Sequence, residues 1–349
     1  MTTQIEKVSL TDPEAGGALA RAAEIIRQGG LVVFPTETVY GLGADATNAQ
    51  AAEKIYRAKG RPSDNPLIIH IAGPRDAETY AFTNSTYYLL AEHFMPGPLT
   101  VILPAKDTVP LTTRGGLPTV AVRCPSHPVA NAFIRLCGVP VAAPSANLSG
   151  SPSPTNMEHV RDDMNGRVNM ILDGGSSDFG LESTIVSIAQ DGSLTLLRPG
   201  RITVEDLSAL GLKVKIADAV TAKLKEGERA LCPGMKYRHY APRAPLLLLD
   251  GAPEKIAAYI RAQGKEKIAV LVFREDRELF ARVLPQARLY EFGSRSDPMG
   301  QAHTLFFLLR EADKENYDEI YAPLPGTTGV ELALYNRMIR AAAYQIVRL

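Results

Sequence analysis

The spacing of apolar and polar positions changes period repeatedly along the chain, and each change marks an element. Ala18, Leu19, Ala22, Ile25 and Ile26 recur at helical spacing, which predicts a helix from about Pro13 to Gln28 that Gly29 and Gly30 stop. The unbroken apolar run Leu31–Phe34 then predicts a short buried strand. The same rhythm predicts helices near Ala51–Ala58, Thr86–Phe94 and Pro128–Leu136, with strands over Pro66–Ile71, Leu99–Leu103, Thr119–Arg123 and Pro140–Ala143. Further strands are predicted around Met170–Leu172, Thr184–Ile188 and Leu194–Leu197. Helices and strands intermixed, with several successive strands late, predict one α/β domain over residues 1–210 with a mixed sheet.

Between 211 and 243 the periodicity weakens into the charged stretch KVKIADAVTAKLKEGERA and then CPGMKYRHYAPRAP, which together read as a linker. From Leu246 a regular alternation begins: strand LLLLD, helix Pro253–Gln263, strand Ile268–Phe273, helix near Arg277–Val283 and strand Arg288–Phe292. Helix Pro298–Ala312, strand Glu319–Ala322 and a terminal helix Val330–Val347 complete a smaller, Rossmann-like doubly wound domain over 244–349.

Composition narrows the classes. Lys plus Arg and Asp plus Glu both total 38, and a formal charge of zero argues against the nucleic-acid backbone as a stable partner. MTTQIEKVSL has neither the basic nor the apolar region of a signal peptide, and no apolar run approaches the ~20 residues that span a bilayer, so the expectation is a cytoplasmic protein without a membrane partner. Cys124, Cys137 and Cys232 fit neither a disulfide framework nor a zinc ribbon, leaving buried thiols and no structural metal.

Candidate chemistry sits at predicted strand ends. Gly41-Leu42-Gly43-Ala44-Asp45-Ala46 matches the relaxed GxGxxA dinucleotide fingerprint, yet Pro35–Tyr40 separate it from the preceding strand, which counts against a nicotinamide site. Thr36 and Glu37 follow the strand Leu31–Phe34 directly, where α/β folds place ligands, although a capped turn explains them as well. Lys59 and Arg61 flank Gly60 at a helix stop: either they cap the helix, or they form a two-cation clamp for a polyphosphate. His70 on a strand is more often a core residue than a catalyst. Thr119 to Arg123, Ser145 with Asn147, Glu182-Ser183-Thr184 and Arg198 add small donors and cations at strand ends, and so many together point to a pocket for an anionic ligand. Pro233–Pro242 carries Met235, Tyr237, His239 and Tyr240 between stiffening prolines, a composition suited to a segment that docks, and we expect it to lie over the pocket with Tyr237 or Tyr240 on the nucleotide.

The segments LVVFPTETVYGLGADA, AKGRPSDNPLIIHI, PGPLTVIL, TVAVRCP, APSANLSGSPSPT, ESTIV and LLRPG, in this order and spacing, resemble the YrdC-like domain of threonylcarbamoyl-AMP synthases over about residues 10–210. PGMKYRHYAP and the appended α/β domain resemble the long, two-domain form of that family. The resemblance implies an open twisted mixed sheet and an activity that condenses L-threonine, bicarbonate or CO2, and ATP into threonylcarbamoyl-AMP and pyrophosphate. The product would pass to the tRNA threonylcarbamoyl transferase machinery for the t6A modification. By similarity, Thr36, His70, Arg123, Ala143 and Ser183 would hold threonine, and Lys59, Arg61, Ser63, Thr119, Ser145, Asn147, Ser153 and Arg198 the nucleotide, with Lys59 and Arg61 acting in catalysis. Mg2+ would enter with ATP and not in a protein cage. Two rivals are an RNA-binding YrdC-like protein without adenylate synthesis, disfavoured by the neutral charge, and a hydrogenase-maturation carbamoyl transferase, which would need zinc-type Cys pairs.

Overall fold

The computed structural model describes residues 2–224, 231–234 and 239–349, and the chain divides into two units, one of residues 1–149 and 153–236, the other of 150–152 and 237–349. In the first unit an eleven-stranded sheet runs in the order Gln4–Lys7, Met170–Asp173, Val32–Phe34, Gly41–Asp45, Val141–Ala142, Ile68–His70, Thr119–Arg123, Leu99–Pro104, Thr184–Ile188, Leu194–Arg198 and Val214–Ile216. Parallel and antiparallel pairs alternate irregularly, so the sheet is mixed, as its late run of strands implies. Helices Ala18–Arg27 and Pro128–Cys137 pack together over one part of it, closing a core that includes Leu19, Ile26, Phe34, Phe133 and Val141.

Several elements depart from the periodicity reading. The first helix starts at Ala18 and not near Pro13, because Gly16 and Gly17 take left-handed φ values of 74° and 69° that a helix cannot include. Gly41–Asp45 is a strand that pairs through Gly41–Gly43 with Val32–Phe34 and through Ala44–Asp45 with Val141–Ala142, so its glycines belong to a ladder and to no dinucleotide turn. Met157–Met164 is a helix whose short apolar stripe the periodicity did not reveal; Asn156 caps it by accepting from the His159 amide. The first unit's sheet also continues past residue 210, since Val214–Ile216 pairs parallel with Leu194–Arg198. Beyond that strand, Ala217, Ala219, Leu224 and Cys232 pack on Ile68, Ala121, Ile185 and Leu197, so the described part of the linker covers a face of this sheet. Cys124, Cys137 and Cys232 are all buried and unbridged, and burial pushes the thiols of Cys124 and Cys137 up to about 12.

The second unit carries a five-stranded, wholly parallel sheet in the order Arg288–Glu291, Ile268–Val272, Glu319–Pro323, Leu246–Asp250, Ile346–Arg348. Each strand is followed by a helix until the end of the chain. The terminal helix stops at Ala341, where Ala343 and Tyr344 adopt left-handed φ, and the residues after them form an edge strand in place of the predicted helical continuation. Among the described residues no helix is long and apolar enough to cross a membrane.

Candidate active site

Strand register gathers the first group of side chains. Ile68–His70 pairs in parallel with Thr119–Arg123, which pairs antiparallel with Leu99–Pro104, so His70, Arg123 and Thr100 are cross-strand partners on one face of the sheet. Thr119 lies on that face four residues before Arg123. Thr100 and Ser183 share a hydroxyl hydrogen bond of 2.8 Å, and the Arg198 guanidinium donates to both the Ser183 carbonyl at 3.0 Å and its hydroxyl at 3.1 Å. Arg198 can approach because Gly200 lies flat against Glu182 and Thr184: a Cβ there would stand 2.5 Å from the Thr184 amide nitrogen.

The loop after Val32–Phe34 joins this group through Glu37. Arg123 Nη2 donates to Glu37 Oε1 at 2.8 Å, with both side chains at least nine-tenths buried. Burial by itself would raise the Glu37 pKa, but the Arg123 guanidinium holds the carboxyl below its ordinary value, so the pair is ionic. Beside it His70 is driven down to about 3, first by burial and then by the charge of Arg123, and is neutral. Its Nδ1 lies 3.2 Å from the Val141 carbonyl; a carbonyl only accepts, so Nδ1 carries the proton and Nε2 remains an acceptor. Thr36 closes its own loop, accepting from the amides of Thr38 and Val39 at 3.2 Å and donating to the Val39 carbonyl at 2.5 Å. Backbone bonds from Phe179 to Glu37 and from Gly180 to Thr38 fasten that loop to the segment leading into Ser183.

The second group forms around Lys59. The helix Ala49–Lys59 begins at Asn48, whose side chain accepts from the amides of Gln50 and Ala51, and ends at Gly60 with φ 62°. Lys59 is buried and its ammonium leaves the helix to donate to the Ser145 and Asn147 carbonyls, both at 2.5 Å, and to Asn147 Oδ1 at 3.3 Å. It therefore does not merely cap its own helix. Asn147 Oδ1 also accepts from the Ser145 hydroxyl at 2.5 Å, and the Ser149 amide bonds back to the Lys59 carbonyl. Arg61, also buried, donates to the carbonyls of Asn65 and Pro66, the latter at 3.1 Å, bracing the loop that carries exposed Ser63. Ser153 donates to Glu182 at 2.5 Å, which ties this region to Ser183, and Ala143 binds the strand end at the Ile68 carbonyl.

The structure thus gathers His70, Arg123 and, through Thr100, Ser183 in one buried set, with Thr36 buried in the loop that carries Glu37, and Lys59, Ser145 and Asn147 in another. Glu37, Glu182 and Thr100 are connectors to which the sequence reading assigned no role. Glu37 and Glu182 stand in segments already conspicuous for polarity, whereas Thr100, inside an apolar strand, carried no signal. Tyr240 is buried, its ring 5.1 Å from that of Phe306 and stacked on it. Tyr237 lies outside the described residues. Among the described residues no group of three His, Cys, Asp or Glu side chains is arranged to hold a metal ion.

Two family models match the chain: one described as telomere recombination over residues 24–200, and one described as threonylcarbamoyl-AMP synthase, C-terminal domain, over residues 202–343. The threonylcarbamoyl-AMP synthase of Bacillus subtilis is 43% identical over 347 residues, covering 98% of this chain and 97% of its own. That of Pyrococcus abyssi is 41% identical, covering 94% of each. The crystal structure of P. abyssi Sua5 complexed with L-threonine superposes with a TM-score of 0.89 at 38% identity, over 99% of this chain and 100% of that one.

Proposed function

Because the chain belongs to the threonylcarbamoyl-AMP synthase family, we propose that it joins L-threonine, bicarbonate or CO2, and ATP into threonylcarbamoyl-AMP and pyrophosphate, the adenylate then serving t6A formation on tRNA through a separate transferase. The observation that carries this reading is the buried Arg123, paired with Glu37 on the sheet face it shares with His70 and with Thr100, whose hydroxyl bonds Ser183, together with the buried Lys59 cluster in the same unit: groups suited to a carboxylate-bearing amino acid and to a polyanion. Arg123 would take the threonine carboxylate in a charge-assisted bond, with Thr36, His70, Ala143 and Ser183 around the rest of the molecule. His70 Nε2, an acceptor, would receive a proton donor of threonine.

Deprotonated threonine adds to CO2 through its amine, forming the N–C bond and losing a proton to solvent. A carbamate oxygen then attacks the α-phosphorus in line as the bond to the pyrophosphate oxygen breaks. The carbamate is already nucleophilic, so the protein's contribution is positioning and charge neutralisation. Lys59 and Arg61 would neutralise phosphate charge, with Ser63, Thr119, Ser145, Asn147, Ser153 and Arg198 around the nucleotide. ATP would enter as its Mg2+ complex, the cation screening phosphate charge while keeping water ligands. The linker would shield the labile adenylate from water, with Tyr237 or Tyr240 contacting the nucleotide.

The test is substrate dependence. Purified protein is expected to convert ATP to pyrophosphate only when threonine and bicarbonate are both present, yielding an acid-labile adenylate. Release of ADP and phosphate, or pyrophosphate formation without threonine, would overturn the reading.

A further inference from the structure

The second unit contains a cavity of about 310 Å³ with no part in the chemistry above. It opens at the carboxyl edge of the parallel sheet. From Leu246–Asp250 the chain crosses over Glu319–Pro323 to reach Ile268–Val272, whereas from Glu319–Pro323 it crosses over Leu246–Asp250 to reach Ile346–Arg348. These two neighbouring strands therefore send their connections in opposite directions, and right-handed crossovers then place the following helices on opposite faces. The result is a crevice at a topological switch point, where open α/β sheets bind ligands.

Its lining has two characters. The floor is apolar, formed by Ile256, Val270, Val272, Phe273 and Phe280. The rim carries Asp250, Asp276, Glu331, Arg295 and Gln301. Arg295, the lining's cation, is already matched: it pairs with Asp276 at 2.5 Å and its guanidinium lies 4.4 Å over the Phe273 ring. Glu331 opens the helix Glu331–Ala341, whose first turn receives no side-chain cap from Val330, so the helix's positive end compensates that carboxylate. Asp250 stands 3.7 Å from Arg348.

No unmatched positive charge of the lining remains for a phosphate, and the turn after Asp250 runs Gly251-Ala252-Pro253, where proline removes one amide from the first turn of the next helix. What the rim offers is carboxylate acceptors for hydroxyl donors, above a floor suited to a flat apolar group. The volume, near the lower limit for small-molecule sites, admits one such molecule and no dinucleotide. We propose that this cavity binds an uncharged nucleoside, its ribose hydroxyls donating to the rim carboxylates and its base lying on the Phe273 and Phe280 side of the floor.

Amide hydrogen exchange of the full chain tests this, with adenosine, AMP and spermidine as probes. Adenosine is expected to slow exchange at residues 250–256 and 321–331, with AMP weaker by at least about tenfold and spermidine without effect. Such a readout separates this cavity from the first unit, where adenosine could also enter a nucleotide site. Asp276→Asn leaves Arg295 unmatched and is expected to shift the preference toward AMP, while Glu331→Gln weakens adenosine without that shift. The wild-type comparison stands even where a variant fails to fold. Equal protection by AMP, protection by spermidine, or no protection of these segments at millimolar adenosine would overturn the proposal.

Discussion

The Lys59 ammonium serves two purposes that a substitution can separate. It satisfies the Ser145 and Asn147 carbonyls, and it stands in the candidate nucleotide site. Lys59→Ala leaves those carbonyls short of a donor, at a cost of about 1–3 kcal/mol of stability. Loss of transition-state neutralisation should add a fall in pyrophosphate formation equivalent to about 2–4 kcal/mol. A melt and a pyrophosphate assay on the same preparation check both, and full turnover with only a lowered melting point would reduce Lys59 to a structural brace. Glu37 is the counterpart on the proposed threonine side. Removing one member of a buried ion pair typically costs about 3–5 kcal/mol, so Glu37→Gln is expected to destabilise the fold and to raise the KM for threonine, with Glu37→Asp recovering part of each. An unchanged threonine KM in a folded Glu37→Gln protein would show that the pair does not orient Arg123 for substrate. Polar clusters in Pro35–Thr38 and Lys59–Asn65 were legible in the sequence, but the Glu37–Arg123 pairing was not, since 86 positions separate the two residues.

Elements with a wide apolar face were readable from periodicity, and narrow ones were not. The helix Pro128–Cys137 buries Val129, Ala130, Phe133, Ile134 and Cys137 at helical spacing, and its expected limits differ from the observed ones by a single residue. Val214–Ile216 is an edge strand whose residues are half-buried or exposed, so it shows no alternation, and its lysine suits an unpaired sheet edge. That short strand and the residues after it change what a truncation should do. A chain ended after Leu210 loses the edge strand and uncovers Ile68, Ala121, Ile185 and Leu197, while one ended after Gly234 retains the cover of Ala219 and Cys232. The shorter chain is expected to melt at lower temperature and to bind a hydrophobic dye, and equal melting points would show that the covering segment adds nothing to the first unit.

At the scale of the molecule, Glu37 and two buried histidines, His70 and His127, all held below their ordinary values, act with one sign on how stability follows pH. His70 has an ordinary value of 6.5 and about 3 in the folded state, so between those limits the unfolded chain binds the extra proton and stability falls as pH falls. Glu37 is lowered from 4.5, so its contribution is present above that value and is lost as pH drops through its folded value, with the same sign. Urea unfolding between pH 4.5 and 6 (roughly the range where the unfolded chain's histidines titrate) should show stability rising with pH, with His70 supplying up to one proton, or about 1.4 kcal/mol per pH unit, and His127 adding with the same sign. His70→Gln is expected to flatten that slope, and an unaltered slope would mean that His70 titrates normally. The sequence by itself determined the mixed sheet followed by the regular βα alternation, and the polar segments at strand ends. Those are local properties, written in the spacing of apolar residues and in the residues that interrupt it. Only the tertiary structure decided which side chains meet: that Lys59 crosses to residues 145–147, that Glu37 fixes Arg123, that Tyr240 stacks on Phe306, and that the last residues form a strand. Those outcomes depend on burial and on partners distant in sequence, because a buried charge must find its counter-charge wherever the fold brings one, and no local pattern records where that is.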